Sequence, residues 1–243
     1  AQQGRADSMD KLVRAVEPKL RAYIYRVTLN HDLSQDLSQD VLLQMIKSLE
    51  HLRESKSFWP WLYRIAQSKI QQYYREKEKK AEVSASAFYD DFLSSRAGHP
   101  DDGLRSLLQK EVSRTVMLAV KQMQQQHRAV LSLRCFEQLP YSDIALAMQC
   151  SEVKARVLFF RARQALKKQL VSRGISKASL LMCLGLFGKL TVPADAAPST
   201  VTVTAASTEV GLTATVVGAA GTKLGIMAIA AAVTAAATLA TVG

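Results

Sequence analysis

A segment in the second half of this 243-residue chain carries many basic side chains and no acidic one. Seven basic side chains and no acidic one occur in residues 154–173. A solvated basic face is one explanation, but exposed helices normally intersperse Glu with their basic residues, so the pattern favours an anionic ligand. Phosphates line the major groove of DNA, and arginine can donate hydrogen bonds to guanine O6 and N7 there. The basic residues are Lys154, Arg156, Arg161, Arg163, Lys167, Lys168 and Arg173.

Aromatic and basic side chains are interleaved in a second segment, residues 58–77. Exposed aromatic rings beside Lys and Arg can stack on unpaired bases while the cations neutralise backbone phosphates. Helical spacing places Phe58 and Trp61 on an apolar stripe, and we expect Trp59, Tyr63 and Tyr74, which lie off it, at the surface. The alternative is that all of these aromatic and basic side chains simply pack against the protein core and bind no nucleic acid. The remaining members of the set are Arg64, Tyr73, Arg75 and Lys77.

Three helices are predicted to position the aromatic segment. In residues 1–80 apolar side chains recur at helical spacing in three stretches, and no strand pattern competes. We expect a break at residues 31–32, with Asp32 as the cap of the second helix. Ser57 is a good cap for the third helix, and Pro60 then falls in its first turn, where a missing N–H costs nothing. The three stretches are residues 12–27, 33–49 and 58–73.

A helix-turn-helix is predicted to position the basic segment. Helical spacing resumes over residues 104–136, and Leu139–Pro140 interrupts it. A short helix over residues 141–148, a turn at 149–150 and a longer helix from Ser151 to about residue 171 follow. The second helix of such a motif enters the major groove of DNA.

The net charge of +11 is distributed unevenly. Residues 1–80 carry +5, residues 81–103 carry −4, residues 104–190 carry +11 and residues 191–243 carry −1. The acidic stretch loses periodicity and gains Ser, Asp, Gly and Pro, which is typical of a linker. The predicted fold is all-α, with two small helical domains, a flexible acidic linker and an apolar Ala/Thr-rich extension. The predicted boundaries are 1–80, 81–103, 104–173 and 174–243.

The extension contains a candidate transmembrane helix. Residues 224–242 form a run of 19 residues without a charge, which is long enough to span a bilayer. Eight of them are Ala, which contributes little insertion energy compared with Leu or Ile. A membrane helix and an Ala-rich helix that packs on the protein are therefore both open.

Nothing in the sequence indicates catalysis. There is no Ser/His/Asp set, no Gly-rich phosphate loop and no Cys/His cluster with metal spacing, so we expect no enzyme activity, cofactor or metal. Cys135, Cys150 and Cys183 are odd in number and far apart, and we expect them to be buried, reduced thiols of a cytosolic protein.

Four strings carry a resemblance to a known family. Residues 36–43 read Asp-Leu-Ser-Gln-Asp-Val-Leu-Leu, and residues 57–66 read Ser-Phe-Trp-Pro-Trp-Leu-Tyr-Arg-Ile-Ala. Residues 139–145 read Leu-Pro-Tyr-Ser-Asp-Ile-Ala, and residues 160–166 read Phe-Arg-Ala-Arg-Gln-Ala-Leu. In this order they resemble the bacterial sigma-70 factors, and the two-domain layout resembles their extracytoplasmic-function (ECF) group. The resemblance covers about residues 9–172.

The resemblance implies three contact surfaces. The second helix would bind a coiled coil of core RNA polymerase, the third would melt and capture the promoter −10 element, and the last would read the −35 element. The polymerase contacts would be Asp36, Gln39, Asp40 and Leu43. The −10 contacts would be Trp59, Trp61, Tyr63, Arg64, Ser68, Lys69, Gln72, Tyr73 and Arg75. The −35 contacts would be Ser151, Lys154, Arg156, Val157, Leu158, Phe160, Arg161 and Arg163.

The sequence departs from the family pattern at several of these positions. Gln149 replaces the usual Gly in the helix-turn-helix turn, where a left-handed backbone is favoured. Val157 and Leu158 replace polar or basic residues, and Ser68 stands where Asn is frequent. The polar-to-apolar changes at Val157 and Leu158 predict a distinct −35 specificity.

The function implied is that of a sigma factor, which binds core RNA polymerase, recognises −35 and −10 elements and starts transcription. Its implied partners are core polymerase, promoter DNA and an anti-sigma factor. The linker would thread toward the RNA exit path, or act as an inert tether. We expect a cytoplasmic location at the nucleoid, with the extension either tethering the factor to the inner membrane or folding back on the DNA-binding domains. The alternative is a helix-turn-helix regulator that binds operator DNA by itself, with or without a membrane anchor.

Overall fold

The computed structural model describes residues 6–52, 54–79, 103–175, 180–191, 201–204 and 213–216. The chain divides into two compact units, residues 1–114 and 115–243. The division falls inside one helix, Gly103–Lys121. The predicted linker, apart from its last residue, and the candidate membrane helix at 224–242 lie outside the described residues.

The first unit is a bundle of three long helices. They are α1 (Ala6–Thr28), α2 (His31–Ser48) and α3 (Phe58–Lys79), and two short 3-10 turns, Leu49–His51 and Ser55–Ser57, connect α2 to α3. The apolar stripes predicted for α1 and α2 form most of the core. Its fully buried large side chains include Leu20, Tyr23, Ile24, Met45, Leu62, Tyr63 and Ile70.

The junction of α1 and α2 differs from the prediction. Leu29 adopts a left-handed backbone (φ 57°), and α2 begins at His31, two residues earlier than expected. The cap is Asn30, whose side-chain oxygen accepts a hydrogen bond of 3.0 Å from the Leu33 backbone N–H. The prediction that Asp32 caps this helix was therefore wrong, and Asp32 lies in its first turn. A carboxylate there still interacts favourably with the helix dipole.

The second unit contains the helix-turn-helix. Helix α4 (Gly103–Lys121) leads into α5 (Gln125–Leu131), which continues as a π-helical turn, Ser132–Phe136. Helices α6 (Tyr141–Met148) and α7 (Glu152–Val171) follow. The predicted bounds of α6, the turn and α7 are thus confirmed. One side of α7 packs in the core through Ala155, Phe159, Ala162, Leu166 and Leu170.

Part of the C-terminal extension packs in the second unit. Helix α8 (Leu180–Leu190) buries Cys183, Leu184 and Phe187, and the Phe187 ring meets that of Phe136 edge-on with centroids 5.9 Å apart. Strands β1 (Val201–Thr204) and β2 (Thr213–Val216) form an antiparallel hairpin, with Val201 opposite Val216.

The predicted all-α architecture of two helical domains is confirmed. The β1–β2 hairpin in the extension is an addition that the sequence did not predict. Among the described residues, no helix has both the length and the apolar character needed to cross a bilayer.

Candidate nucleic-acid interface

The turn between α6 and α7 has the geometry that a helix-turn-helix requires. Gln149 closes α6 in a left-handed conformation (φ 52°), and the Cys150 backbone N–H donates to the Ala145 carbonyl at 3.0 Å. The Ser151 hydroxyl then caps α7 by accepting from the Lys154 N–H at 3.2 Å. Ser151 itself is exposed, and its cap fixes the direction in which α7 leaves the turn.

The outer face of α7 carries the cations predicted to meet DNA. The side chains of Lys154, Arg156 and Arg161 are exposed, and Arg163 is half-buried with its guanidinium 5.9 Å from the Phe159 ring centroid. Val157 and Phe160 are exposed among them, whereas Leu158 is half-buried. The predicted −35 residues therefore lie on the solvent side of one helix, apart from the partial burial of Leu158 and Arg163.

Tyr141 contacts one of these arginines, Arg156, and a second arginine outside α7, Arg134, and it was not predicted as a site residue. Its ring lies 4.6 Å from the Arg156 guanidinium and 4.8 Å from that of Arg134. Arg156 also pairs with Glu152 at 2.5 Å. Both contacts hold the Arg156 side chain in one place at the edge of α7. No spacing in the sequence indicates the contact from Arg134, because Arg134 lies on the π-helical turn before the break.

The predicted polymerase contacts share one exposed face of α2. Asp36, Gln39 and Asp40 are exposed, and Leu43 is 56% exposed although it is apolar. The spacing of three and four residues places them on adjacent turns of one side. Asp40 also lies 3.7 Å from Lys69 Nζ of α3, so the acidic face is tied to the neighbouring helix. Ile46, an apolar residue within the predicted helical stretch 33–49, is 40% exposed on the same helix.

The predicted −10 contacts on α3 are divided between surface and interior. Arg64, Ser68, Gln72 and Arg75 are exposed. Four other predicted contacts are half-buried, and the ninth, Tyr63, is fully buried. The half-buried members are Trp59, Trp61, Lys69 and Tyr73.

The placement of Tyr63 at the surface was wrong. Tyr63 is fully buried, with its ring centroid 4.6 Å from that of Tyr23 and 5.7 Å from that of Trp59. The Tyr63 ring therefore stacks against the ring of Trp59. Lys19 of α1 places its Nζ 4.2 Å from the centroid of the Trp59 ring. Since Tyr63 lies in the core, its contribution to a site is to support Trp59.

Comparison with known proteins identifies these two units. The model of "Sigma-70 region 2" matches residues 12–80, and that of "Sigma-70, region 4" matches residues 113–166. The RNA polymerase sigma-H factor of Pseudomonas aeruginosa is 30% identical over 175 residues, which cover 70% of this chain and 89% of that protein. The chain belongs to the sigma-70 family.

Further relatives support the ECF group of sigma-70 factors. The RNA polymerase sigma factor YlaC of Bacillus subtilis is 29% identical, over 68% of this chain and 92% of that protein. The ECF RNA polymerase sigma-E factor of Haemophilus influenzae is 25% identical, over 70% of this chain and 90% of that protein. The fold resembles the sigma factor RpoE of Bartonella quintana, solved in complex with the anti-sigma factor NepR. That match has a TM-score of 0.50 and 18% identity, and it covers 68% of this chain and 98% of RpoE.

The sigma-factor function predicted from the sequence is thereby confirmed, and with it the prediction that this chain is a transcription initiation factor and not an enzyme. The resemblance identified from the four strings was correct. The two matched regions contain all of the predicted site residues.

The thiols of this sigma factor are held in their protonated form. Burial raises the pKa of Cys135 to about 12, against the opposing charges of Arg163 and Arg134, and burial raises the pKa of Cys183 to about 11. The half-buried Cys150 also has a raised pKa because of desolvation, which Lys154 partly offsets. All three cysteines are free. Within the described residues, no group of three His, Cys, Asp or Glu side chains is placed to hold a metal ion.

Proposed function

We propose that this ECF sigma factor divides its work among three helices. Helix α2 binds core RNA polymerase, α3 captures the −10 element as the duplex opens, and α7 reads the −35 element. The observation that carries the proposal is the contrast between the exposed faces of α2 and α7. The first presents Asp36 and Asp40, and the second presents Lys154, Arg156 and Arg161.

The face of α2 suits a protein partner. An exposed leucine next to exposed carboxylates and an amide offers an apolar contact with polar neighbours, which is a composition found at protein interfaces. Leu43 is the apolar contact, and Asp36, Gln39 and Asp40 are its neighbours toward the start of the helix. The Asp40–Lys69 pair keeps these neighbours in register with α3. A core polymerase surface that is basic around an apolar socket would complement it.

The face of α3 suits unpaired bases. Trp59 is half-buried and stacks on the buried Tyr63, and Lys19 Nζ lies 4.2 Å from its ring centroid, so an aromatic ring with a cation beside it is held at the start of α3. Opening a base pair costs a few kcal/mol, and stacking on an aromatic ring recovers about 1–3 kcal/mol per base. Arg64 and Arg75 are exposed along the same helix and can neutralise phosphates of the melted strand.

The direct test is transcription in vitro with core polymerase. Purified core polymerase is incubated with the full chain and a library of promoter fragments, and transcript starts are sequenced. We expect defined starts only when both proteins are present. Trp59→Ala is expected to lower open-complex formation at least tenfold while the duplex promoter is still bound. Trp61→Ala tests the second tryptophan among the predicted −10 contacts, whose ring centroid lies 6.0 Å from that of Phe58.

The same experiment separates the alternative function. If the chain alone protects a duplex site and core polymerase never initiates from that site in its presence, the protein is an operator-binding regulator and the sigma-factor division of work is wrong. If starts appear but Trp59→Ala and Asp36→Lys leave them unchanged, the assignment of α2 and α3 is wrong.

We further propose that the factor works at the nucleoid in the cytoplasm and that residues 179–243 regulate it. The packing of Phe187 against Phe136 favours an extension that folds back on the second unit over one that only tethers the protein to the inner membrane. An anti-sigma partner would act in addition to this extension. Cell fractionation and promoter activity of the full chain and of residues 1–178 test the proposal. Equal distribution and equal activity of the two would leave no regulatory role for the extension.

A further inference from the structure

Three apolar side chains project into solvent from α7. The exposed fraction is 71% for Val153, 44% for Val157 and 60% for Phe160. These positions are separated by four and three residues, so they form one stripe along about two turns of the helix. At about 100° per residue the stripe is opposite to the buried face that Ala155 and Ala162 define. It therefore contributes nothing to the core of the second unit.

Cations border this stripe on both sides. The same helical geometry places Arg156 and Arg163 along one edge and Lys154 and Arg161 along the other. A helix in the major groove lies between two phosphate backbones, so cations on both edges and an uncharged centre match the groove in cross-section. The charge pattern thus favours DNA over an apolar protein groove as the occupant of this face.

The chemistry of the base edges then specifies what the stripe can recognise. Donors and acceptors of the bases face the major groove, and the C5-methyl of thymine is the apolar group among them. Arg156, the cation nearest to Val157 in sequence, is already engaged by Glu152 and by the Tyr141 ring. It is held at the edge of the helix, which leaves the centre of the face to the apolar side chains.

We infer that Val153, Val157 and Phe160 read thymine methyl groups in the −35 element. The inference rests on the proposed function, in which α7 enters the major groove. It adds the base class and the side chains that select it. Each methyl placed against this stripe is withdrawn from water, and the apolar area involved corresponds to about a threefold to fivefold gain in affinity.

Replacing thymine by deoxyuridine is the direct test, because it removes the methyl and keeps the base pair. The −35 element is first defined by sequencing starts from a randomised promoter library with the full chain and core polymerase. Each thymine of the element is then replaced singly by deoxyuridine, and holoenzyme binding is measured. We expect about a threefold to fivefold loss at one or more positions, and no loss at thymines outside the element.

A pair of matched valines makes the test specific to the stripe. Val157→Ser is expected to remove the difference between thymine and deoxyuridine templates. Val171→Ser is the control, since Val171 is 42% exposed on the same helix but lies more than three turns beyond Val157. It should bind both templates like the wild type.

Three outcomes would overturn the inference while the sigma-factor proposal stands. In the first, the −35 element proves to contain no thymine. In the second, replacing thymine by deoxyuridine has no effect while initiation persists. In the third, Val157→Ser lowers initiation equally on both templates, which would indicate that Val157 contacts a protein. If no −35-dependent initiation occurs at all, the proposed function fails instead.

Discussion

Gln67 Nε2 donates a hydrogen bond of 2.6 Å to the hydroxyl of Tyr23 in the interior of the first unit. The two residues lie on α3 and α1, and Gln67 is only 3% exposed. The Tyr23 ring also contacts Tyr63, so the polar pair and the aromatic pair share one side chain. A buried amide with a fixed acceptor specifies how the two helices are aligned, since a shift along either helix would break the bond.

Tyr23→Phe is expected to lower the free energy of unfolding by about 1–3 kcal/mol, because the Gln67 amide loses this acceptor in a buried position. Combining it with Gln67→Met should recover part of the loss, giving a coupling energy of about 0.5–3 kcal/mol. Urea unfolding of the single and double variants measures both quantities. Tyr73→Phe, at a half-buried position of α3, is the control and should change stability by less than about 0.5 kcal/mol. Strict additivity of the two changes would contradict the pairing.

Gln149→Gly is expected to stabilise the second unit by about 1 kcal/mol. A side chain at a left-handed position costs about 1–2 kcal/mol, and glycine avoids most of that cost at the expense of chain entropy. Thermal unfolding should therefore show a rise in Tm of several degrees. Gln164→Gly is the control, because Gln164 is exposed inside α7 and glycine there should destabilise by about 1 kcal/mol. A lower Tm for Gln149→Gly would show that the turn gains nothing from glycine.

Leu43→Ser is expected to weaken binding to core polymerase about tenfold, since truncating an apolar anchor at the centre of an interface typically costs more than 1 kcal/mol. Because the Leu43 side chain is 56% exposed, the Leu43→Ser variant should keep the helix content and the Tm of the wild type. Titration of labelled sigma factor with core polymerase measures the Kd. Glu50→Gln, at an exposed position beyond α2, should bind like the wild type. Wild-type affinity of Leu43→Ser would remove α2 from the polymerase interface.

Thiol labelling is expected to proceed in the order Cys150, then Cys183 and Cys135. The thiolate is the reactive form, and burial holds the pKa of Cys135 near 12 and that of Cys183 near 11, so both react at pH 8 only when the structure opens. Mass spectrometry after timed alkylation measures the order, and Cys150→Ser should remove the first phase. Equal rates for the three thiols would contradict the burial of Cys135.

The raised pKa of Cys135 also predicts a loss of stability at alkaline pH. An unfolded thiol deprotonates near its ordinary value of 9.0, whereas the folded one keeps its proton to about 12. The stability that this thiol contributes is therefore complete below about pH 9 and is lost as the pH rises toward 12. Cys135→Ala should flatten this part of the pH profile of Tm, which differential scanning calorimetry measures. An unchanged alkaline slope in Cys135→Ala would show that other groups cause it.

Phe187→Ala is expected to destabilise the second unit by about 3–5 kcal/mol, the usual cost of truncating a buried phenylalanine. Phe187 is 5% exposed and packs on Phe136, so its loss leaves a cavity between α8 and the π-helical turn. Leu190→Ala, at a half-buried position of α8, should cost distinctly less. Denaturant unfolding of the full chain compares the two. A cost below about 1 kcal/mol for Phe187→Ala would show that the extension does not stabilise the second unit.

Local patterns accounted for much of the fold. The stripes of α1 and α2, the bounds of α6 and α7, the cap at Ser151 and the left-handed backbone at Gln149 all follow from interactions within a few residues. Such features are encoded locally, because helix period, capping and turn conformation depend on neighbours in the chain. The opposing faces of α7 follow in the same way from the spacing of its apolar and basic residues.

The errors arose where competing local signals were resolved by packing. Asn30 and Asp32 are both good cap residues, and the left-handed turn at Leu29 placed Asn30 at the cap. Tyr63 lies off the narrow stripe expected for α3, but Tyr23 and Trp59 enclose it from two sides. A helix that packs against two neighbours buries a wider face than a single stripe predicts.

The sequence by itself determined the family, the two helical units and which helix faces carry charge. The tertiary structure decided which side chains meet across long separations: Gln67 with Tyr23, Asp40 with Lys69 and Phe187 with Phe136. The physical reason is that helix periodicity depends on neighbours in the chain. Contacts between helices depend instead on how whole faces fit together, and no spacing within either helix specifies that fit.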